Sequence, residues 1–581
     1  LDRDSCGADA DKTIAFGNIV NNSTITFALD EAGVTCTYPA VMSGTGGIVK
    51  TGVSTLVFTG SNTYSGTTVV NGGTLRIGGS TGERIADTSA VSVGSGATFD
   101  VNGRTERVGS IAGAGNVVLG AGTLTSGDSS DTTFSGVISG AGDLVKVGSG
   151  TLTLSGTNTF TGSSTISAGT IAASADAGLG ATSAEVLLNG GTLSATESFT
   201  LDSARGVTLA TSTTSTISAS SAKTLTAAGA ISGSGNLVKS GAGTITLTAS
   251  NSFTGSFTVS AGVAIVGDSS TNGSLATTSI VTNADLRFDR SDDVSSLAAI
   301  TGSGGLTKLG NGTLTLTNTG TTYSGTTTIT TGTLALGASG VLGDSTTVDV
   351  ASGATFNLAS YDETIGALSG AGTLTLGSAT LTAGGNSSST TFSGTSSGTG
   401  GLTKTGSGTL TLSGANGYTG ATTISGGTLA LGAANRIDNS SNVVVGNGAT
   451  FSLANFNETV GSLSTSPSAG TGAISLGTAT LTTSTTSDST FGGVISGSGA
   501  LVKQGSGVLT LSGANTYSGA TTVSAGSIQA ANATALGTTA GATTVSNGAQ
   551  LRLSGGITSQ ETITGAGIGG LNGVILNVSG A

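Results

Sequence analysis

GSGTLTLSGTNTFTGSSTI, running from Gly148 to Ile166, returns almost unchanged as GVSTLVFTGSNTYSGTTVV from Gly52 and as GSGTLTLSGANGYTGATTI from Gly406. A lysine stands two residues before each copy. Six such lysines, Lys50, Lys146, Lys239, Lys308, Lys404 and Lys503, follow one another at intervals of 96, 93, 69, 96 and 99 residues. Glycine stands two residues after every one of them, at Gly52, Gly148, Gly241, Gly310, Gly406 and Gly505. Asparagine stands twelve after in five copies, at Asn62, Asn158, Asn251, Asn416 and Asn515. An aromatic ring stands fourteen after, at Tyr64, Phe160, Phe253, Tyr418 and Tyr517, and is displaced by one at Tyr323. Fixed offsets of this kind are the mark of a repeat architecture, not of biased composition.

The local chemistry says what one repeat builds. In TLTLSG, Leu152 and Leu154 share one face of a strand, and Thr151, Thr153 and Ser155 share the other, so leucines are expected inward and hydroxyls outward. Gly150 and Gly156 bracket that strand, where the chain is expected to turn through conformations that a β-carbon forbids. Asn158 reads as a corner residue, because asparagine tolerates the left-handed conformation and closes a turn with its own side chain. One rung of this kind buries too few aliphatic side chains to offset its backbone entropy. Stacked rungs supply parallel ladder bonds and set Leu on Leu through a continuous core. The expectation is an all-β parallel solenoid, a rod of about 25 rungs at about 4.8 Å each.

Between the lysine units lies a second pattern, VSVGSGATFDVNGRTERVGSIAGAG from Val91, echoed from Val348 by VDVASGATFNLASYDETIGALSGAG and from Val443 by VVVGNGATFSLANFNETVGSL. Each block is therefore a compound of several turns. The third interval between lysines, from Lys239 to Lys308, is shorter than the others, and its shortfall reads as the loss of about one coil.

Composition agrees with strands and turns. Only 8% of the 581 residues are charged, against about 25% in ordinary soluble domains; there are 101 glycines, 2 prolines, no tryptophan and no histidine. The net charge of −12 comes without a cluster of Lys or Arg, so a nucleic-acid partner is not expected. No run of 18 apolar residues is present, and no transmembrane helix is expected. Residues 1–40 hold 8 of the 48 charged residues, both cysteines and Pro39. They are read as an N-terminal cap that blunts an open β-edge, ahead of a repetitive region over 41–581. Cys6 and Cys36 are expected to pair in an exported protein. The start at Leu1, without a basic-then-apolar leader, suggests a mature product. A further copy of the second pattern starts at Asn547, and the end at Ala581 without a cap suggests a fragment, a processed form, or an end that docks on a partner.

The motif GxLxKxGxGTLTLSGxNTYSGxTTVxxGTL, clearest from Gly499 to Ile528 and from Gly400 to Leu429, resembles the passenger-associated transport repeat, also called the autotransporter-associated β-strand repeat. The resemblance implies a right-handed parallel β-helix, exported by Gram-negative bacteria through the type V route and displayed at the cell surface, with repeats that aid export and folding. The C-terminal β-barrel of that family has no counterpart in this sequence, so membrane attachment is not expected from these residues themselves.

Candidate chemistry is sparse. In DLRFDRSDD, Asp285, Arg287 and Asp289 share an outward face while Leu286 and Phe288 point inward; paired carboxylates of this kind serve glycosidases, yet the segment aligns with the ordinary rung AQLRLSGG from Ala549. Without histidine, a Ser/His/Asp triad is excluded. The GGxGxD repeat of calcium solenoids is missing, and Asp128 and Asp131 read as a polar loop. No cofactor or metal is expected. The six lysines read as turn-facing, solubilising charges rather than a binding stripe, and the outward threonines as good strand formers rather than an ice- or polysaccharide-binding array. The expected function is that of a non-enzymatic extracellular stalk of an adhesin-like surface protein, its host-cell or matrix ligand unspecified. The alternatives are an end-to-end filament subunit and a carbohydrate-active enzyme.

Overall fold

The computed structural model describes residues 12–80, 82–466, 470–559, 561–565 and 575–578. Two compact units divide the chain, 1–289 and 290–581. In the first, the strands Thr105–Val108, Ser110–Gly113 and Asn116–Val118 follow one another around a coil, and the next coil repeats them as Thr123–Ser126, Thr132–Phe134 and Val137–Ser139. Each strand pairs in parallel with the one a coil later, as Thr105↔Thr123↔Asp143 and Asn116↔Val137. The second unit is built the same way. Thr390–Phe392, Thr409–Leu412 and Thr428–Leu431 stack on one face and Leu402–Lys404 and Thr422–Ile424 on another. Each unit is thus a three-faced parallel β-solenoid. Among the described residues the single helical element is the 3-10 turn Asp176–Leu179.

Alternation places the core. The strand Thr151–Leu154 buries Leu152 and Leu154 and leaves its threonines half-exposed, and the same pattern recurs at Thr313–Leu316 and Thr409–Leu412. Near the start of the first unit, Phe27, Tyr38 and Phe58 close the core edge to face, with ring centroids 5.9–6.2 Å apart. Parallel stacking already includes the region read as a cap: Lys12–Thr13 pairs with Thr35–Tyr38, and Thr24–Ala28 with Gly47–Thr51. Cys36 is buried and disulfide-bonded; Cys6 and Ala581 lie outside the described residues.

The register corrects the expected coil length. Lys50 pairs with Val70, Val70 with Val93 and Val93 with Gly113, each a coil apart, so the shortfall between Lys239 and Lys308 is longer than one coil. Nor is a full block a whole number of coils. One more step leads from Gly113 to Phe134, and Lys146 then lies two faces further on. Lys146 therefore stands on a different face from Lys50, and Lys308, Lys404 and Lys503 stand on three different faces of the second unit.

The glycines at corners owe their place mainly to the neighbouring coil. Gly150 and Gly156 do not have positive φ; a β-carbon there would lie 2.1 Å from the Ser130 carbonyl oxygen and 2.0 Å from that of Gly136. The expected backbone reason is replaced by a steric one. Gly406 combines both demands, with φ of 65° and a β-carbon position 2.0 Å from the Gly384 oxygen, whereas Gly448 has φ of 69° and open space around it. Gly448→Ala should therefore cost about 1–2 kcal/mol, the left-handed strain alone. Gly406→Ala should cost more than about 3 kcal/mol, because two backbones must separate. Urea unfolding of the two variants, followed by circular dichroism, compares them directly.

Candidate functional site

The residues that mark the repeat converge inside the solenoid, and the copy beginning at Lys404 shows how. In Leu402–Lys404 the alternation turns Lys404 inward, and it is 1% exposed. Its stem lies in the core while Nζ donates to the carbonyls of Thr405, Gly406 (3.1 Å) and Gly426 (3.2 Å), the last on the next coil. The positive φ of Gly406 belongs to the turn whose carbonyls the ammonium collects. All six lysines are buried. Lys50 Nζ donates to Thr51, Gly52 and Gly72, and Lys239 Nζ to Ser240, Gly241 and Ala261. Lys146, Lys308 and Lys503 each donate to the two carbonyls that follow them in sequence. The expectation of solubilising surface charges is overturned. These lysines are internal caps for turn carbonyls, which would otherwise be buried without partners.

The asparagines are neither left-handed corners nor surface residues. Asn158 is 3% exposed; its Oδ1 accepts from Ile138 N (2.8 Å) on the coil before, and its Nδ2 donates to Gly178 O (2.6 Å) on the coil after. Asn62 joins Met42 N to Arg84 O in the same way, and Asn515 joins Ile495 N to Ala535 O. Asn251 accepts from Ile231 N and donates to Ser274 O, and Asn416 accepts from Ser396 Oγ and donates to Arg436 O. In the displaced fourth copy Thr321 takes the accepting role toward Ile300 N.

The aromatic position carries a hydroxyl relay wherever it is tyrosine. The hydroxyls of Tyr64, Tyr323, Tyr418 and Tyr517 lie 2.5–2.7 Å from those of Thr68, Thr327, Thr422 and Thr521. Thr422 reaches Ser441 (3.2 Å), which donates to Gly420 O. Where the ring is phenylalanine the partner changes: Phe160 is followed four residues later by Ser164, and Phe253 by Phe257, against which it packs edge to face at 6.2 Å.

Three buried glutamates, which sequence reasoning misses, complete the arrangement. Glu106 accepts from Arg84 N (2.9 Å) and Ile85 N (2.6 Å), Glu363 from Val341 N (3.1 Å), and Glu458 from Arg436 N (2.8 Å). Each grips the peptide 22 residues before it. In two of the three cases Asn62 or Asn416 holds the carbonyl of that same residue. A signal is present, since the glutamate occupies one place in RTERVG, YDETIG and FNETVG. In the second copy an arginine plays the complementary part. Arg205, 0% exposed, donates to the carbonyls of Leu179, Gly180 and Ala184 and pairs with Asp176 at 2.7 Å.

The remaining candidates are spent on local structure. Asp285 pairs with Arg287 at 2.6 Å on the outer face, and Asp289 accepts from Ser269 Oγ. Asp128 accepts from Ser130 N, and Asp131 from Thr151 N one coil above. Asp293 and Asp488 repeat the Asp131 bond toward Thr313 N and Val508 N. Among the described residues there is no group of three or more metal-ligating side chains, and no helix is long and apolar enough to cross a membrane.

A solenoid whose recurring polar residues fasten one coil to the next is a repeat protein in the structural sense, its regular spacing explained by stacking. A family model, the passenger-associated-transport-repeat, matches at 48–77, 144–173, 237–263, 306–336, 402–431 and 501–530. Every match starts two residues before a capping lysine and runs for roughly one and a half coils. The chain carries six matches to this repeat. The "Adhesin BmaC autotransporter" of Brucella suis biovar 1 (strain 1330) is 37% identical over 213 residues, 33% of this chain, and the match spans 6% of that protein's length. No solved structure gives a significant match.

The buried charges have measurable consequences. Lys404→Met leaves the Thr405, Gly406 and Gly426 carbonyls without their donor and should lower the unfolding free energy by about 1–3 kcal/mol, with amide exchange accelerated first around 402–431. Burial pushes the Glu106 carboxyl up to about 8 and those of Glu363 and Glu458 to about 7, against the pull of their backbone N–H bonds. Between about pH 4.5 and 7 the folded chain then keeps protons that the unfolded chain has released, so stability falls as pH rises through that window. Burial lowers Lys50 and Lys239 to about 8, so the unfolded chain holds the extra protons between about 8 and 10.5 and stability recovers there. A urea midpoint lower at pH 8 than at pH 5, with the difference reduced in Glu106→Gln/Glu363→Gln/Glu458→Gln, is the expected result.

Proposed function

We propose that the chain is a non-enzymatic, β-helical stalk of an adhesin-like protein, exported and displayed at the surface of a Gram-negative bacterium, with repeats that assist export and folding. The observation that carries this reading is where the recurring polar side chains point. Lysine, asparagine, tyrosine and glutamate are turned inward and consumed by hydrogen bonds within and between coils, while the outward rows are mostly threonine and serine. Such side chains strengthen a scaffold. The similarity to an adhesin autotransporter supports the adhesive assignment. Stacked coils suit export as well, because each added coil finds its partners on the one already folded.

Surface display tests the proposal. A non-adherent Gram-negative strain given this chain fused to an outer-membrane anchor should bind epithelial monolayers more than the anchor alone, and Lys→Met changes at the six caps should reduce the folded, protease-resistant fraction on the surface. Glycan breakdown by the purified chain, lost in Asp285→Asn or Asp289→Asn, would instead establish an enzyme.

A further inference from the structure

One stretch of the second unit departs from the flat, ladder-paired faces. Ser462–Ser466 ends one sheet and Ser489–Phe491 begins another on the coil above. The two are joined across a step of 27 residues by Gly492 N donating to Thr465 Oγ1 (3.0 Å). Over this break lie two adjoining hollows of about 640 and 470 Å³ that share Ser462 and Asp488, each within the size range of ligand pockets, about 300–1,000 Å³. From the second hollow a row of outward side chains runs up the coils in register, Thr490↔Thr510↔Gln529↔Arg552.

We infer that this groove is a binding site for an uncharged oligosaccharide, an inference that rests on the adhesin reading and names the chemistry of its ligand. The lining is hydroxyl and amide almost throughout, with Val508 as its single aliphatic side chain, so an apolar ligand gains nothing there. Its two charges are opposite and already engaged: Asp488 accepts from Val508 N (2.9 Å), and Arg552 donates to Gln550 Oε1 (3.1 Å). The lining therefore carries no net charge that would favour an ionic ligand. A sugar offers donors and acceptors together, which Ser, Thr, Asn and Gln side chains match. The groove has no aromatic platform, so single-site affinity is weak and many displayed copies supply avidity.

Saturation-transfer NMR and titration calorimetry on the full chain with lactose, maltotriose, chitotriose and a heparin-derived tetrasaccharide test the inference. At least one uncharged probe should bind, and Ser462→Trp/Thr510→Trp, which fills both hollows, should weaken it at least tenfold, while Thr153→Trp on the first unit changes nothing. Circular dichroism and unchanged melting identify variants that remain folded; Gln529→Ala serves as a milder second variant. Failure of all three uncharged probes, preference for the anionic one, or undiminished binding in the filled variant overturns the proposal. Adherence of displaying cells separates the two readings. Adherence without oligosaccharide binding sinks the groove alone, and groove-dependent oligosaccharide binding without adherence sinks the adhesin assignment alone.

Discussion

An inward position in this protein is met, one coil later, by another inward position directly above it. That constraint governs the rest. Apolar residues satisfy it by packing like on like. Polar residues inside the same column satisfy it by finding a backbone group at a turn or on an adjacent coil, or another buried polar side chain, since an unpaired buried group is costly. The lysine caps, asparagine bridges and glutamate grips are three solutions to this one problem, and all three fasten neighbouring coils.

The three solutions are also linked. The residue whose carbonyl Asn62 holds is Arg84, and the N–H of Arg84 is held by Glu106, so the backbone of one residue at an irregular corner is secured from below by an amide and from above by a carboxylate. Asn416, Arg436 and Glu458 repeat the set. Where the second copy has a different corner, Arg205 collects carbonyls in place of a glutamate collecting N–H groups. The corner conformation decides which charge is needed, and the consequence is a set of buried ionisable groups whose protonation ties folding to pH.

Much of this is legible in the residues. The period, the inward leucines, the parallel solenoid and the outward Asp285, Arg287 and Asp289 follow from alternation and spacing. Lysine is rarely fully buried, so its chemistry points the six repeats' lysines to the surface, and the neighbouring glycine conceals the turn carbonyls that make burial tolerable. Propensity points the asparagines to left-handed turns, whereas their constant offset comes from a bridge between coils. The glutamates recur at one place in three stretches, but a single acidic residue among polar corner residues gives no local sign of pointing inward. The groove at Ser462, Asp488 and Arg552 has no sequence signal, since it arises from residues separated by one or more coils.

What the chain determined by itself is periodicity: strand, turn and strand again, with a face of leucine and a face of threonine, which leaves stacking as the only way to bury the first. What the folded molecule decided is the phase of that stacking. Because a block is not a whole number of coils, the repeat moves from face to face, and no spacing along a line of residues reveals which groups meet around a corner. Hydrogen-bond partners of buried side chains depend on that phase, so their roles exist only in three dimensions.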